Sequence, residues 1–174
     1  MNTFNPQIDT SQLPQIENLV FQPLEKDYLT VIIVARAIFF AISVLMVAGF
    51  LFINHFNLDM WILYGIGGLY MFYILWSFLA SVKGFKHKSY ALRARDIVYK
   101  SGWLWKSTTT APFNRVQHVM IDQGLIERQF NLAKLKVFTA GGSSSDLTIP
   151  GLNPITANML KEFIVKKTGL DEEE

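Results

Sequence analysis

The chain has no cysteine, which removes disulfide scaffolds, thiolate nucleophiles, zinc fingers and iron–sulfur clusters in one step. It is also short of charge. Only 17% of its 174 residues are Asp, Glu, Lys or Arg, whereas an average soluble domain has roughly 25%. The shortage is local: residues 28–82 hold two charges, Arg36 and Asp59, so the other 119 residues carry 28 of the 30 and have an ordinary soluble density. Histidine is scarce as well, with His55, His87 and His118 in three separate parts of the chain, so no metal site is expected. The first 27 residues lack a basic segment leading into a short apolar stretch and a small-residue cleavage site. A cleaved secretory signal is therefore not expected, and the apolar segment should be retained as an anchor.

What is present is a pair of long apolar runs. Residues 37–53 and 60–82 are uncharged over 17 and 23 positions. As helices they would be about 25 and 34 Å long, enough to cross a hydrocarbon core of roughly 30 Å once flanking residues help the first. The linker Asn54–Asp59 suits a helical hairpin and leaves both chain ends on one side. Lys83, Lys86, Lys88, Arg93 and Arg95 follow the second run, Lys26 and Arg36 precede the first, and the linker has no Lys or Arg. The positive-inside rule thus places both termini in the cytoplasm. Arg36 is expected to snorkel to the headgroups, an intramembrane ion pair or phosphate contact being the alternative. Trp61, Tyr64 and Trp76 suit aromatic belts. Gly65, Gly67 and Gly68, with Ala37, Ala41 and Ala48, offer small surfaces for packing within or between hairpins.

The net charge of +2 is a cancellation. Residues 1–27 sum to −3, residues 83–170 to +9 and the tail Asp171–Glu174 to −4. After Gly84 the pattern becomes short alternating runs: Tyr90–Arg95, Ile97–Tyr99, Trp105–Ala111, Val119–Ile121, Leu135–Val137 and Leu147–Ile149 predict six or seven strands. Gly141–Ser145 predicts a hairpin loop. The last element has helical period, with Asn153 as N-cap, Pro154 in the first turn, an apolar face of Ile155, Met159, Leu160, Phe163 and Ile164, and Gly169 just past the end. A helix covering the open end of a curved antiparallel sheet gives an α+β domain.

The runs Tyr90-Ala-Leu-Arg-Ala-Arg-Asp96, Gly102-Trp-Leu-Trp105, Asn114-Arg-Val-Gln-His-Val119, Gln123-Gly124, Glu127-Arg128, Thr139-Ala-Gly141 and Ile149-Pro-Gly151 resemble the bacterial pleckstrin-homology (PH)-like domain of YdbS-type membrane proteins. Asn131 stands where that family often has glycine, and Asn tolerates the left-handed conformation such a turn needs. The resemblance implies a bent seven-stranded sandwich capped by the C-terminal helix, on the cytoplasmic face of a bacterial inner membrane, with no known enzymatic activity and no cofactor. The expected organisation is a cytoplasmic segment 1–27, a two-helix transmembrane hairpin 28–82, a PH-like domain 83–168 and an acidic tail 169–174.

Two constellations could carry function. Arg36, Lys83, Lys86, Lys88, Arg93 and Arg95 are candidate contacts for anionic lipid headgroups, each worth about 1 kcal/mol near an anionic leaflet; the plain alternative is that they only set topology. Arg93 and Arg95 are expected to share one face of the first strand. Arg115, Gln117, His118, Gln123 and Arg128 are a polar group that either bonds backbone or meets a partner. A catalytic version would need Asp122 to orient His118 and one of Ser143–Ser145 to act as nucleophile, but no nucleophile elbow is present. Gly141-Gly142 leads into a strand, so it lacks the helix N-terminus of a phosphate cradle. Nucleic-acid binding is not expected, because Trp103 and Trp105 suit a strand and its turn. The expected function is a non-enzymatic module that binds anionic lipid, scaffolds a membrane complex, or does both. The alternative is a protein-interaction subunit paired with a related multi-PH-domain protein, as YdbS-type proteins are thought to pair with YdbT-type ones, or with a second copy of itself.

Overall fold

The uncharged runs sit inside two long helices, α1 (Asp27–Asn54) and α2 (Met60–Phe85), of 28 and 26 residues. A computed structural model describes residues 19–54, 59–140 and 146–169. The expectations for His55, the Gly141–Ser145 loop and the tail Asp171–Glu174 lie outside the described residues. Both helices are long and apolar enough to cross a membrane, and only 11% and 6% of their most apolar windows are buried. The core helix of a soluble protein would bury such a surface. These helices leave Phe39, Leu45, Phe52, Trp61, Leu69 and Phe72 exposed, which suits a lipid surrounding.

The seam between α1 and α2 differs from the small-residue packing expected. Phe40 is buried with its ring against Tyr70, Tyr73 and Phe78, and Ser43 hydrogen-bonds Tyr70. A side-chain carbon added at Gly65, Gly67 or Gly68 would meet nothing within 4 Å. The aromatic ring fills the seam, and a cleft remains beside it between the helices, lined by Ala48 and Leu51 on α1 and by Gly67 and Tyr70 on α2.

The domain is two antiparallel sheets. Before the hairpin comes β1 (Gln22–Pro23); after it come β2 (Ser89–Leu92), β3 (Asp96–Ser101), β4 (Ser107–Pro112), a 3₁₀ turn, β5 (Val116–Asp122), α3 (Leu125–Gln129), β6 (Ala133–Thr139), β7 (Leu147–Leu152) and α4 (Pro154–Thr168). The sheets have the orders β1-β2-β3-β4 and β5-β6-β7. Ile97, Leu135, Val137, Leu147, Ile149 and Ile164 fill the space between them and are fully buried. Strand alternation explains this: Leu135 and Val137 point inward while Lys134 and Lys136 stay partly exposed. The result is a PH-like α+β fold with its C-terminal helix, as the sequence implied.

The strand count holds a surprise. Within residues 89–152 there are six described strands, and the seventh is β1, which lies on the other side of the helical hairpin in sequence. Gln22 pairs with Tyr90 and Pro23 with Ser89. Leu24 follows into the core, and the Glu25 N–H donates to the Gly151 carbonyl at 3.1 Å. The hairpin is thus an insertion between the first two strands of the domain. Tyr28 then closes the junction, lying across Gly151, with its ring centroid 6.4 Å from that of Phe85. Gly151 has φ +63°, and a Cβ there would fall 2.3 Å from Tyr28 Cγ. Gly151→Val should therefore cost at least about 2 kcal/mol from the left-handed backbone alone. It should lower the domain's thermal midpoint by about 8–16 °C, read by near-ultraviolet circular dichroism; an unchanged midpoint would show that neither the left-handed turn nor Tyr28 holds the junction.

In α4 the Asn153 side chain accepts from the Ile155 N–H at 3.0 Å, Pro154 starts the helix, and Gly169 ends it at φ +71°. The buried stripe is Ala157, Leu160 and Ile164, with Phe163 edge-on to Phe113. Ile155 and Met159 are exposed, which corrects the expected face. The small Ala157 lets the helix approach the sheets closely and turns those two residues outward. Asn131 has φ 52°, so the turn after α3 keeps the left-handed conformation that glycine would supply.

Candidate functional site at the anchor-proximal end of the domain

Strand register decides which cations lie near the ends of the two long helices. Ser89, four residues past the end of α2, pairs with Lys100, and one step further toward the anchor Ser101 pairs with Ser107. The β3–β4 loop, Gly102–Lys106, therefore emerges at the end of the sheet where the chain leaves α2. In the second sheet Leu152, next to the Tyr28 junction, pairs with Ala133, and Asp122 pairs with Lys134. The β5–β6 connection, which contains α3, emerges at that same end. The β2–β3 turn and the Thr139 end of β6 lie at the opposite end.

This divides the sequence-predicted cations. Lys83, Lys86 and Lys88 stay at the anchor end, whereas Arg93 and Arg95 do not. Strand β2 ends at Leu92, so these two arginines lie in the β2–β3 turn and not on one strand face. The turn is closed by a bidentate ion pair from Arg93 to Asp96 and by the Arg93 N–H donating to the Asp96 carbonyl at 2.9 Å. Arg95 lines a polar cleft of about 550 Å³ with Asn114 and Lys167 at the far end of α4.

Arg36 turns across the hairpin. Its Nη1 donates to the Ser77 carbonyl at 2.9 Å and to the Ser77 hydroxyl, while Ser81 donates to the same carbonyl at 2.8 Å. Ser77 and Ser81 are buried at this polar patch. It sits directly before the uncharged run 37–53. Lys88 is half-buried over the Tyr28 ring, 5.1 Å from its centroid. Burial, and then the charge of Arg36, push its amine below the ordinary lysine value. Lys83 lies 4.6 Å from the centroid of the Trp103 ring, which ties the β3–β4 loop to the end of α2.

The polar group around His118 is split over the length of β5. Arg115, at the distal end, donates to the Ala140 carbonyl at 3.3 Å. Gln123, at the anchor end, donates to the Leu132 carbonyl at 2.9 Å. His118 is exposed and lies against Phe138, and Gln117 is exposed beside it. Asp122 does not orient His118. Its carboxylate accepts from Lys136 Nζ at 2.8 Å, and that bond holds it below the usual carboxylate range. Arg128, at the end of α3, is exposed at the anchor end and so belongs with the lysines there.

Two residues that sequence reasoning missed complete this face. Lys106 is exposed in the β3–β4 loop. Glu127 is 5% exposed, accepts from the Gly124 N–H at 2.8 Å and pairs with Lys134 at 3.0 Å. The Gly124 and Glu127 spacing was visible as a motif, but its meaning needs the geometry: a Cβ on Gly124 would lie 2.7 Å from the Glu127 carboxylate. Glu127→Ala should cost about 1 kcal/mol by leaving the half-buried Gly124 N–H without its carboxylate partner at the start of α3. Faster amide exchange across residues 124–132 would report it, and unchanged protection there would contradict this role.

A PH-like sandwich interrupted by two candidate membrane helices, with lysines gathered where those helices leave it, defines a membrane-associated PH-domain protein. The chain matches the bacterial PH domain family over residues 20–168 and belongs to it. The match begins before the hairpin, in agreement with β1 and Leu24 being parts of the domain. No curated protein and no solved structure matches the chain.

Proposed function

We propose that the chain is a non-enzymatic, multi-pass module on the cytoplasmic face of a bacterial inner membrane, with both termini cytoplasmic, whose anchor-proximal end binds anionic lipid headgroups. The observation that supports this most is the convergence of Lys83, Lys86, Lys88, Lys106 and Arg128 from three separate segments on one end of the domain. Among the described residues the ion pairs are Arg93–Asp96, Lys134–Glu127 and Lys136–Asp122, which involve none of those five. Basic groups beside a membrane helix both fix orientation and attract anionic lipid. Extraction in a mild detergent, followed by mass spectrometry of the retained lipids, tests the reading. Anionic phospholipid should be enriched relative to the source membrane, and a composition equal to the source would reject it.

A second reading is a protein-interaction subunit, partnered by a related multi-PH-domain protein or by another copy of this chain. The open faces at Gly65 and Gly68 favour it, because they are free for a helix from outside the hairpin. A partner that stays bound at high salt, with no lipid enrichment, is its expected signature.

A further inference from the structure

The anchor-proximal end carries apolar side chains as well as cations. Leu125, at the start of α3, is 90% exposed, and in the β3–β4 loop Trp105 is 88% and Leu104 66% exposed. Glycine, serine or charge would be the ordinary choice for loop positions in water, and large apolar groups this bare call for a cover.

Their positions relative to the hairpin say what covers them. Leu125 and Ile126 border Val31 and Ala35 of α1 across a shallow cleft of about 360 Å³. Ala35 immediately precedes Arg36, the last charge before the uncharged run. On the other helix, Lys83 is the first charge after the uncharged run, and it lies over Trp103, next to Leu104 and two residues from Trp105. Each exposed apolar tip therefore stands beside the residue at which one helix changes from hydrocarbon-compatible to charged. Tryptophan at that level is favoured, since its ring is apolar and its N–H finds headgroup or water partners.

Both tips are held firmly. The β3–β4 loop is pinned by Gly102, at φ +95°, where a Cβ would overlap the Trp105 carbonyl. Helix α3 is pinned by Glu127, and the whole end is clamped to α1 through Glu25, Tyr28 and Gly151. Lys106 and Arg128 flank the tips, as the cations of an interfacial segment flank its apolar residues.

We infer that Leu104 and Trp105 on one side of the hairpin, and Leu125 on the other, insert into the headgroup–acyl boundary of the leaflet that the chain's own helices enter, so that the domain stands on the bilayer at two apolar points in addition to its covalent anchor. The inference rests on the membrane anchoring proposed above and not on the charge of the lipid. It gives the domain a fixed tilt over the membrane instead of a swing about a flexible linker.

The natural absence of cysteine makes the test direct. Single variants Leu104→Cys, Trp105→Cys, Leu125→Cys and, at the distal β2–β3 turn, Ala94→Cys are nitroxide-labelled in the full chain. They are reconstituted in vesicles of phosphatidylcholine alone and of phosphatidylcholine with phosphatidylglycerol. Labels at 104, 105 and 125 should relax several-fold more with oxygen than with a water-soluble nickel chelate, in both lipid mixtures, and the label at 94 should do the reverse. Nickel access at 104, 105 and 125 equal to that at 94 would overturn the inference, because it would show that the tips stand in water and not in lipid. Depth seen only with phosphatidylglycerol would also overturn it, leaving the charge-based reading intact. Depth in both mixtures without anionic-lipid enrichment would leave the insertion standing and remove the headgroup preference. All four positions are exposed, so labelling disturbs no core contact, and unchanged circular-dichroism melting confirms that each variant keeps its fold.

Discussion

A chain in which residues 29–82 are replaced by a short Gly/Ser linker is expected to fold as a water-soluble domain, whereas a fragment beginning at Lys83 is expected to melt far lower or not to fold cooperatively. The fragment lacks β1, the buried Leu24, the Glu25 to Gly151 hydrogen bond and the Tyr28 ring. Loss of a core leucine costs about 2–5 kcal/mol, and one backbone hydrogen bond contributes about 1 kcal/mol. Against a total stability of about 5–15 kcal/mol for a small domain, that is enough to unfold much of the population. The linker version keeps all four contacts. Its ends need little reach, because Tyr28 and Phe85 have ring centroids 6.4 Å apart; a linker of six flexible residues spans about 14 Å. Thermal unfolding of the two proteins side by side decides the matter. Equal midpoints would mean that the segment before the hairpin merely rests on the domain.

The insertion has a mechanical consequence. A PH domain fused after a membrane helix by one peptide could rotate about that joint, but here the chain enters and leaves the hairpin through adjacent strands of one sheet. Two covalent crossings, reinforced by the packing of α1 on α3 and β7, fix the domain against the helices. Orientation is then a property of the fold. That is why cations from Lys83 to Arg128, scattered over the sequence, become one surface.

Much of this was legible in the sequence because its signals are local. The uncharged runs gave both long helices, the Asn153, Pro154 and Gly169 pattern gave both ends of α4, and Asn131 signalled its left-handed turn. Strand β1 was not legible. It has two residues, one of them Pro23, and pairs with a strand more than 60 positions away across the hairpin, so it has no alternation to read. The β2–β3 turn was misplaced for a related reason. Alternation ran on through Arg93 and Arg95, but the ion pair of Arg93 with Asp96 closes the chain into a turn after Leu92. In α4 the apolar residues outnumber those that one face can bury, and the small Ala157 decided the phase, leaving Ile155 and Met159 outside. The candidate site suffered most. Contiguity in sequence grouped Lys83 with Arg95, whereas strand direction groups Lys83 with Lys106 and Arg128.

That regrouping makes the sharpest functional prediction. In the linker-joined soluble domain, changing Lys83, Lys86, Lys106 and Arg128 together to Gln should lower the affinity for anionic vesicles by about a thousandfold. The estimate follows from about 1 kcal/mol per basic residue near an anionic surface, with 1.4 kcal/mol to each factor of ten. Changing Arg95, Lys161, Lys166 and Lys167 removes the same net charge from the middle and far end of α4 and the β2–β3 turn, and should have little effect. Lys88 is left in place in both sets because its stem packs on Tyr28, and losing it would disturb the junction as well as the charge. The comparison separates a surface from a sum. Charges farther from the lipid than the Debye length of about 8 Å at physiological salt are largely screened, so only the anchor-end set should count. Vesicle sedimentation at two salt concentrations measures both variants. An equal loss in the two sets would mean that the domain responds to net charge alone and that the face assembled by the strand register has no part in lipid binding.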